Sequence, residues 1–275
     1  MNLDTWLRAT AGQLQTTLSL DAAAARIEAR LLAAAALQRN TTWLIAHGDE
    51  AAELARLTPF LHRRLKGEPV AYILGQREFY GRVFNVSPAV LIPRPETEHL
   101  VEAALQQMPS GASVLDLCTG TGCVAITLKL ERPDGAVTAT DLSPDALAVA
   151  KANAAALNAT VSFHPGDLFA PVVGQRFDII VSNPPYIAAA DTHLDQGDVR
   201  FEPRLALASG TDGLDLIRRL VSAAPNHLKP GGWLLFEHGF DQGAACRERL
   251  SLAGFRQIKT LPDWAGLERL TLGQA

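Results

Sequence analysis

Val114-Leu115-Asp116-Leu117-Cys118-Thr119-Gly120-Thr121-Gly122 is the stretch that decides the fold. Its apolar beginning, Val114–Cys118, reads as a buried strand, and Val124–Leu130 beyond it reads as a helix. Between them lie the glycines. A glycine-rich strand-to-helix turn lets the backbone approach a ligand closely, and the helix start presents free N–H groups to it. Gly120, Gly122 and Ala125 fit the pattern G-x-G-x-x-A. Asp141 ends the next strand, about 20 residues on, where an acid grips ribose hydroxyls. At this point a nucleotide-cofactor dehydrogenase and a methyltransferase are equally compatible with the pattern.

Outward from that turn, strands and helices alternate. Ala136–Thr140 and Val161–His164 read as strands, with a helix over Asp145–Ala156 between them; a further strand covers Phe177–Val181. Leu214–Leu228 reads as a helix, Gly231-Gly232 as a turn and Trp233–Glu237 as a strand. A helix over Cys246–Leu252 and strands over Phe255–Thr260 and Leu267–Leu272 complete the series. Such alternation predicts an α/β fold: a mostly parallel sheet with helices on both faces and an antiparallel edge. The polar stretch Asp191–Arg204 lacks periodicity and is expected to be a mobile flap.

Residues 1–75 read instead as a small helical domain. Leu3, Trp6, Leu7, Leu14 and Leu18 recur at helical spacing. Asp21 is placed to cap a second helix with Ile27, Leu31, Leu32 and Ala35 on its inner face, and Thr41 or Thr42 to begin a short third. Asp49 is expected to cap a fourth, carrying Leu54, Leu57, Leu61 and Leu65. The cluster His62-Arg63-Arg64-Lys66 falls in its last turn, where positive charge is favourable. Residues 76–93, with a hairpin around Tyr80-Gly81, read as a connector, and 94–275 as the α/β domain.

Composition narrows the class. With 48% hydrophobic and 20% charged residues the chain is globular rather than disordered. A net charge of −4 argues against a general binder of phosphate backbones. The three cysteines show neither zinc spacing nor a disulfide framework, which fits a reducing, cytoplasmic setting. No apolar run is long enough to span a bilayer, and the N-terminus does not read as a signal peptide.

Two further strand-end loops separate the candidate chemistries. Gly166-Asp167-Leu168-Phe169 offers an acid that can accept from an adenine amino group and an apolar side chain that can cover the ring. Ser182-Asn183-Pro184-Pro185-Tyr186 is stiff, because both prolines fix φ and press their predecessors into extended backbone. A planar NH2 group can give one hydrogen to the Asn183 side-chain oxygen and the other to the Pro184 carbonyl, with Tyr186 stacked on its π-face. Nothing in this crevice resembles a hydride-transfer residue.

Asp116–Gly122, Asp141, Gly166–Phe169 and Asn183–Tyr186 together resemble the motif series of class I S-adenosylmethionine-dependent methyltransferases, with their Rossmann-like sheet. The stretches Arg77–Gly81, Leu91–Glu98, and Phe201–Pro203 through Ala206-Leu207 to Gly210–Leu214, after a helical N-terminal domain, narrow the likeness to the PrmC/HemK family. Those are protein-(glutamine-N5) methyltransferases of class I peptide-chain release factors. The resemblance implies S-adenosyl-L-methionine as cofactor, held by Asp116, Cys118, Thr119, Gly120, Thr121, Gly122, Asp141, Asp167, Leu168 and Asn183, with Asp116 toward the methionine moiety. It implies substrate contacts from Asn183, Pro184, Pro185 and Tyr186, with Asn183, Pro184 and Tyr186 as the catalytic set. It also implies the glutamine of a Gly-Gly-Gln loop as acceptor, docking by the N-terminal domain, a monomer, and no need for metal, nucleic acid or membrane.

Cys118 stands where the family usually has glycine, and Leu168 where some members have tryptophan. Glu237 and His238, at a strand end, read as structural, since nothing in the sequence pairs them with the proline motif. An adenine-N6 methyltransferase of nucleic acid and a ribosomal-protein glutamine methyltransferase share the same core and remain the alternatives.

Overall fold

The computed structural model describes all residues, Met1–Ala275. The chain divides into two compact units: Met1–Gln76 with Asp195–Phe201, and Arg77–Leu194 with Glu202–Ala275.

The first unit holds α1 (Leu3–Leu18), α2 (Ala22–Leu37), α3 (Thr41–Ala46), α4 (Leu54–Leu65) and α5 (Val70–Leu74). Asn2, Asp21 and Asn40 cap the first three helices, each accepting from backbone N–H groups of the first turn. Asp49 does not cap α4. The chain at Glu50–Ala52 runs extended against Met1–Leu3 instead, so the helix starts later, at Leu54. The inner face of α2 is made by alanines. Ala25, Ala29, Ala33 and Ala36 are buried with Leu32, whereas Ile27 is exposed. Small side chains there let neighbouring helices approach closely.

Within the basic cluster of α4, Arg64 is 3% exposed and does more than complement the helix end. It donates to Glu28 at 2.7 and 3.2 Å, to the Glu68 carbonyl at 3.1 Å and to Asp198 at 2.9 Å. The last contact draws Asp195–Phe201 into this unit. The stretch expected to be a flap holds three short 3-10 turns, at Thr192–Asp195, Val199–Phe201 and Arg204–Ala206.

In the second unit a hairpin, β1 (Gln76–Phe79) and β2 (Arg82–Asn85), precedes a 3-10 turn at Pro95–Thr97 and α6 (Glu98–Gln107). Then follow β3 (Ser113–Leu117), α7 (Cys123–Glu131), β4 (Ala136–Asp141), α8 (Pro144–Ala156), β5 (Ser162–Pro165) and β6 (Phe177–Ser182). The chain ends with α9 (Asp215–Ala223), β7 (Leu228–Glu237), α10 (Gly243–Leu252), β8 (Arg256–Pro262) and β9 (Glu268–Gln274). The seven-stranded sheet runs β5-β4-β3-β6-β7-β9-β8. Its first five strands are parallel, and β9 pairs antiparallel with both β7 and β8. β3 is fully buried beyond its first residue, as a strand covered on both faces must be.

Two boundaries differ most from expectation. Gly231-Gly232 is an irregularity inside β7 rather than a turn before it, and the β6–β7 register shifts there. The helix expected to reach Leu228 ends at Ala223, with Pro225 in a closing 3-10 turn. Proline has no N–H for a helical bond and clashes with the preceding turn.

Candidate active site

The chain reverses direction across the sheet between β3 and β6, and a doubly wound sheet opens its cleft beyond the strand ends at that switch point. A cavity of about 340 Å³ lies there, within the range of roughly 300–1,000 Å³ usual for small-ligand sites. Asp116, Cys118, Thr119, Gly120 and Thr121 line it from the turn after β3. Asp141 lines it from β4, Asp167 and Leu168 from the loop after β5, and Asn183 and Pro185 from the loop after β6. Pro184 and Tyr186 stand beside that lining rather than in it, and Gly122 lies behind it as the cap of α7.

The glycine turn is held by its own side chains. Thr119 Oγ1 donates to Asp116 Oδ2 at 2.6 Å, and Gly120 N donates to Asp141 Oδ2 at 2.9 Å. The second Asp141 oxygen accepts from Ser143 N at 2.9 Å, at the start of α8. Each carboxylate oxygen still has lone-pair capacity for a ligand hydroxyl. Gly120 has φ +53° with open space where a Cβ would stand, so its backbone can meet a ligand directly. Gly122 is glycine for another reason: φ is +79°, and a Cβ would come within 2.9 Å of Ile126 and 3.2 Å of Ala150.

Cys118 and Leu168 both take left-handed backbone, at φ +60° and +47°. The structure thus has a glycine-like conformation at Cys118, at a cost of about 1 kcal/mol or more for a residue with a Cβ. Behind the turn, Asn153 of α8, 1% exposed, donates to the carbonyls of Thr121 and Asn85, both at 3.0 Å. It also accepts from Asn85 N at 2.7 Å, tying the cofactor loop to β2.

Burial raises the carboxyl groups here. Asp116, 1% exposed, is pushed up to about 7, although Thr119 opposes the rise. Asp141 is raised by burial too, against the backbone N–H groups of Ser143 and Gly120. A cavity with a hydroxyl-accepting acid, an open glycine cradle and a second buried acid that a cation would stabilise fits a nucleoside joined to a cationic amino acid. Asp167 is already engaged, pairing with Arg219 at 2.6 Å.

The proline loop carries a network that the sequence reading missed. Asn183 Nδ2 donates to Thr97 Oγ1 at 3.0 Å. Thr97 Oγ1 donates to Glu237 Oε2 at 2.7 Å, and Tyr186 OH donates to Glu237 Oε1 at 2.9 Å. Glu237 is therefore paired with the proline motif, contrary to expectation. His238 is fully buried, between the Gly239 carbonyl and Thr271 Oγ1, both at 2.8 Å, and is structural. The β6–β7 register sets Ser182 opposite Phe236, which carries the residues after each strand to the same edge. That register, which exists only in the folded sheet, places Glu237 beside the proline loop; Thr97 comes from a remote turn, and neither residue had a signal in the sequence.

Known proteins place the chain. The sequence family described as Methyltransferase small domain matches residues 96–200, and the PrmC N-terminal domain family matches residues 6–75. A release factor glutamine methyltransferase of Neisseria gonorrhoeae is 53% identical over 90% of this chain and 93% of its own length. The chain belongs to the release factor glutamine methyltransferase family. A second member, from Vibrio cholerae, is 45% identical over 100% of this chain and 97% of its own. The crystal structure of a methyltransferase from Pyrococcus furiosus shares the fold, with TM-score 0.56 and 20% identity over 79% of this chain and 98% of that one. The chain is accordingly an S-adenosylmethionine-dependent protein-glutamine methyltransferase with the class I methyltransferase fold.

Proposed function

We propose that the acceptor is the side-chain amide nitrogen (N5) of the glutamine in the Gly-Gly-Gln motif of class I peptide-chain release factors. The observation that carries this reading is family membership over nearly the whole chain. The geometry of the proline loop supports it, because the Asn183 amide is held through its nitrogen and keeps its oxygen for an N–H donor.

S-adenosylmethionine supplies a methyl carbon already activated by its sulfonium. The chain's contribution is position. Asp141 accepts from the ribose hydroxyls, Asp116 faces the methionine end, and the Thr119–Gly122 backbone closes around the ligand. Cys118, Leu168 and Asp167 complete the cofactor wall. Asn183 Oδ1 and the Pro184 carbonyl accept the two amide hydrogens of the substrate, while Pro185 and Tyr186 border its plane. An amide nitrogen is a poor nucleophile because its lone pair is delocalised. Holding it in line with the methyl carbon contributes up to roughly 7–11 kcal/mol in favourable systems. The C–N bond forms as the C–S bond breaks, the thioether leaves with the sulfur's electron pair, and the nitrogen sheds one proton.

The helical unit, residues 1–75, serves as the docking domain for the protein substrate, and 76–93 as its connector to the catalytic domain at 94–275. The enzyme works as a cytoplasmic monomer and handles no nucleic acid directly; no helix is long and apolar enough to cross a membrane. Transfer of labelled methyl from the cofactor to purified release factor, beside duplex DNA and ribosomal protein, tests the assignment. Label in release factor alone is the expected result. Label in either competitor instead overturns it.

A further inference from the structure

Glu237 is 3% exposed and can only accept hydrogen bonds while ionised. Both of its oxygens are used. One takes the proton of Thr97 at 2.7 Å, the other that of Tyr186 at 2.9 Å. A hydroxyl has a single proton to give. With that proton spent on Glu237, the Thr97 oxygen offers Asn183 nothing but lone pairs. Asn183 can then meet Thr97 only through its NH2 group, as observed at 3.0 Å. Its oxygen takes no part in that bond, and Asn183 lines the cavity. A reversed amide would set two acceptors against each other at Thr97 and present a donor to a substrate that is itself a donor.

We propose that Glu237, acting through Thr97, is a positioning residue that fixes which end of the Asn183 amide faces the substrate. The proposal rests on the reading of Asn183 as the group that accepts the substrate amide. The chain of bonds also polarises in one sense. A carboxylate that accepts from Thr97 makes that oxygen a better acceptor, and withdrawing the Asn183 N–H proton makes Asn183 Oδ1 more negative. Positive charge moves from sulfur to nitrogen during methyl transfer, so a more negative Oδ1 favours the transition state over the bound substrate. Glu237 therefore acts on turnover more than on affinity. Three segments far apart in sequence are needed: the turn before α6, the loop after β6 and the end of β7.

The test compares Thr97→Val, Thr97→Ser and Glu237→Met in the full-length enzyme with purified release factor. Valine removes both roles of the hydroxyl at nearly constant shape, serine keeps both, and Glu237→Met frees the Thr97 proton to turn toward Asn183. The expected result is a loss of about a hundredfold in kcat for Thr97→Val and Glu237→Met, the scale of a small misplacement in an active site. KM for release factor and Kd for cofactor stay within about threefold, and Thr97→Ser restores most of the rate. A second readout needs no turnover. In the ligand-free protein the Asn183 side-chain NH2 protons, followed by NMR, exchange slowly with water in the unmodified enzyme and in Thr97→Ser, and fast in Thr97→Val. Undiminished kcat in Thr97→Val, a loss confined to KM or cofactor Kd, or equal losses in serine and valine variants overturns the proposal. If Glu237→Met does not fold, the Thr97 pair still decides. Failure of the unmodified enzyme to label release factor overturns the substrate reading instead, and the exchange measurement still judges the orientation of Asn183.

Discussion

The two ends of the cleft are built in opposite ways. The cofactor end closes over short sequence distances: Thr119 bonds Asp116 three residues away, and Gly120 bonds Asp141 at a separation of 21. The acceptor end joins Asn183 to Thr97 across 86 residues, Tyr186 to Glu237 across 51 and Thr97 to Glu237 across 140. The first is a motif that two neighbouring strands, β3 and β4, and the turn after β3 enforce. The second exists only after β6 and β7 have paired and the turn before α6 has come to rest beside them. In the proposed reading their jobs differ in the same way: one end holds a ligand that arrives with its own reactivity, and the other aims an unreactive nitrogen.

If that division is correct, substitutions at the two ends break different measurements. Asn183→Ala gives the largest effect. Removing an oriented polar group from a transition-state role costs roughly 2.7–4 kcal/mol, or about 10²–10³ in rate. Single-turnover methylation at saturating cofactor reads this loss, while cofactor affinity changes far less. Near-normal turnover makes the proline loop a structural turn.

Asp141→Ala reverses the pattern at smaller amplitude. Loss of a charged acceptor for ribose weakens cofactor binding by about 1.5–3 kcal/mol, measured by calorimetry on the folded variant. Unchanged affinity removes the ribose assignment.

A third contrast comes from pH. Burial holds Asp116 up to about 7, so below that value the free enzyme keeps the carboxyl neutral. Binding a cationic methionine end favours the ionised form and releases a proton. Cofactor affinity then falls as pH drops below about 7, by up to about tenfold per unit, and levels off above it. Asp116→Asn flattens the profile. A wild-type affinity that is flat between pH 5 and pH 8, both on the order of a unit or two from that midpoint, contradicts the placement.

The smallest effect belongs to Cys118→Gly. Glycine relieves the left-handed backbone at φ +60° but adds chain entropy to the unfolded state. The two nearly cancel, leaving stability within about 1 kcal/mol of the parent by chemical denaturation. A larger gain means that Cys118 strains the cofactor turn more than its backbone angle implies.

This asymmetry also explains what could be read from the sequence. The succession of strands and helices and the glycine turn follow from patterns with periods of two to four residues and from one fixed spacing, Gly120 to Asp141. The flanking elements suffered where a local signal had a non-local competitor. Asp49 has the chemistry of a cap, but extended pairing of Glu50–Ala52 with the N-terminus claims that stretch. Asp191–Arg204 has no period because Arg64, far away in sequence, supplies one of the contacts that organise it. Asn183 was legible as a motif residue. Its orientation was not, since Thr97 and Glu237 carry no pattern linking them to the prolines.

The most direct test of the account changes the substrate rather than the enzyme. In a release factor whose Gly-Gly-Gln glutamine is replaced by glutamate, the acceptor keeps its length but has no N–H to give to Asn183 and no nitrogen to methylate. The account predicts that this protein still binds the enzyme, while labelled methyl incorporation drops to background and the unmodified factor carries its label on that one glutamine by peptide mapping. Incorporation that persists in the glutamate variant, or label mapped to another residue, contradicts it.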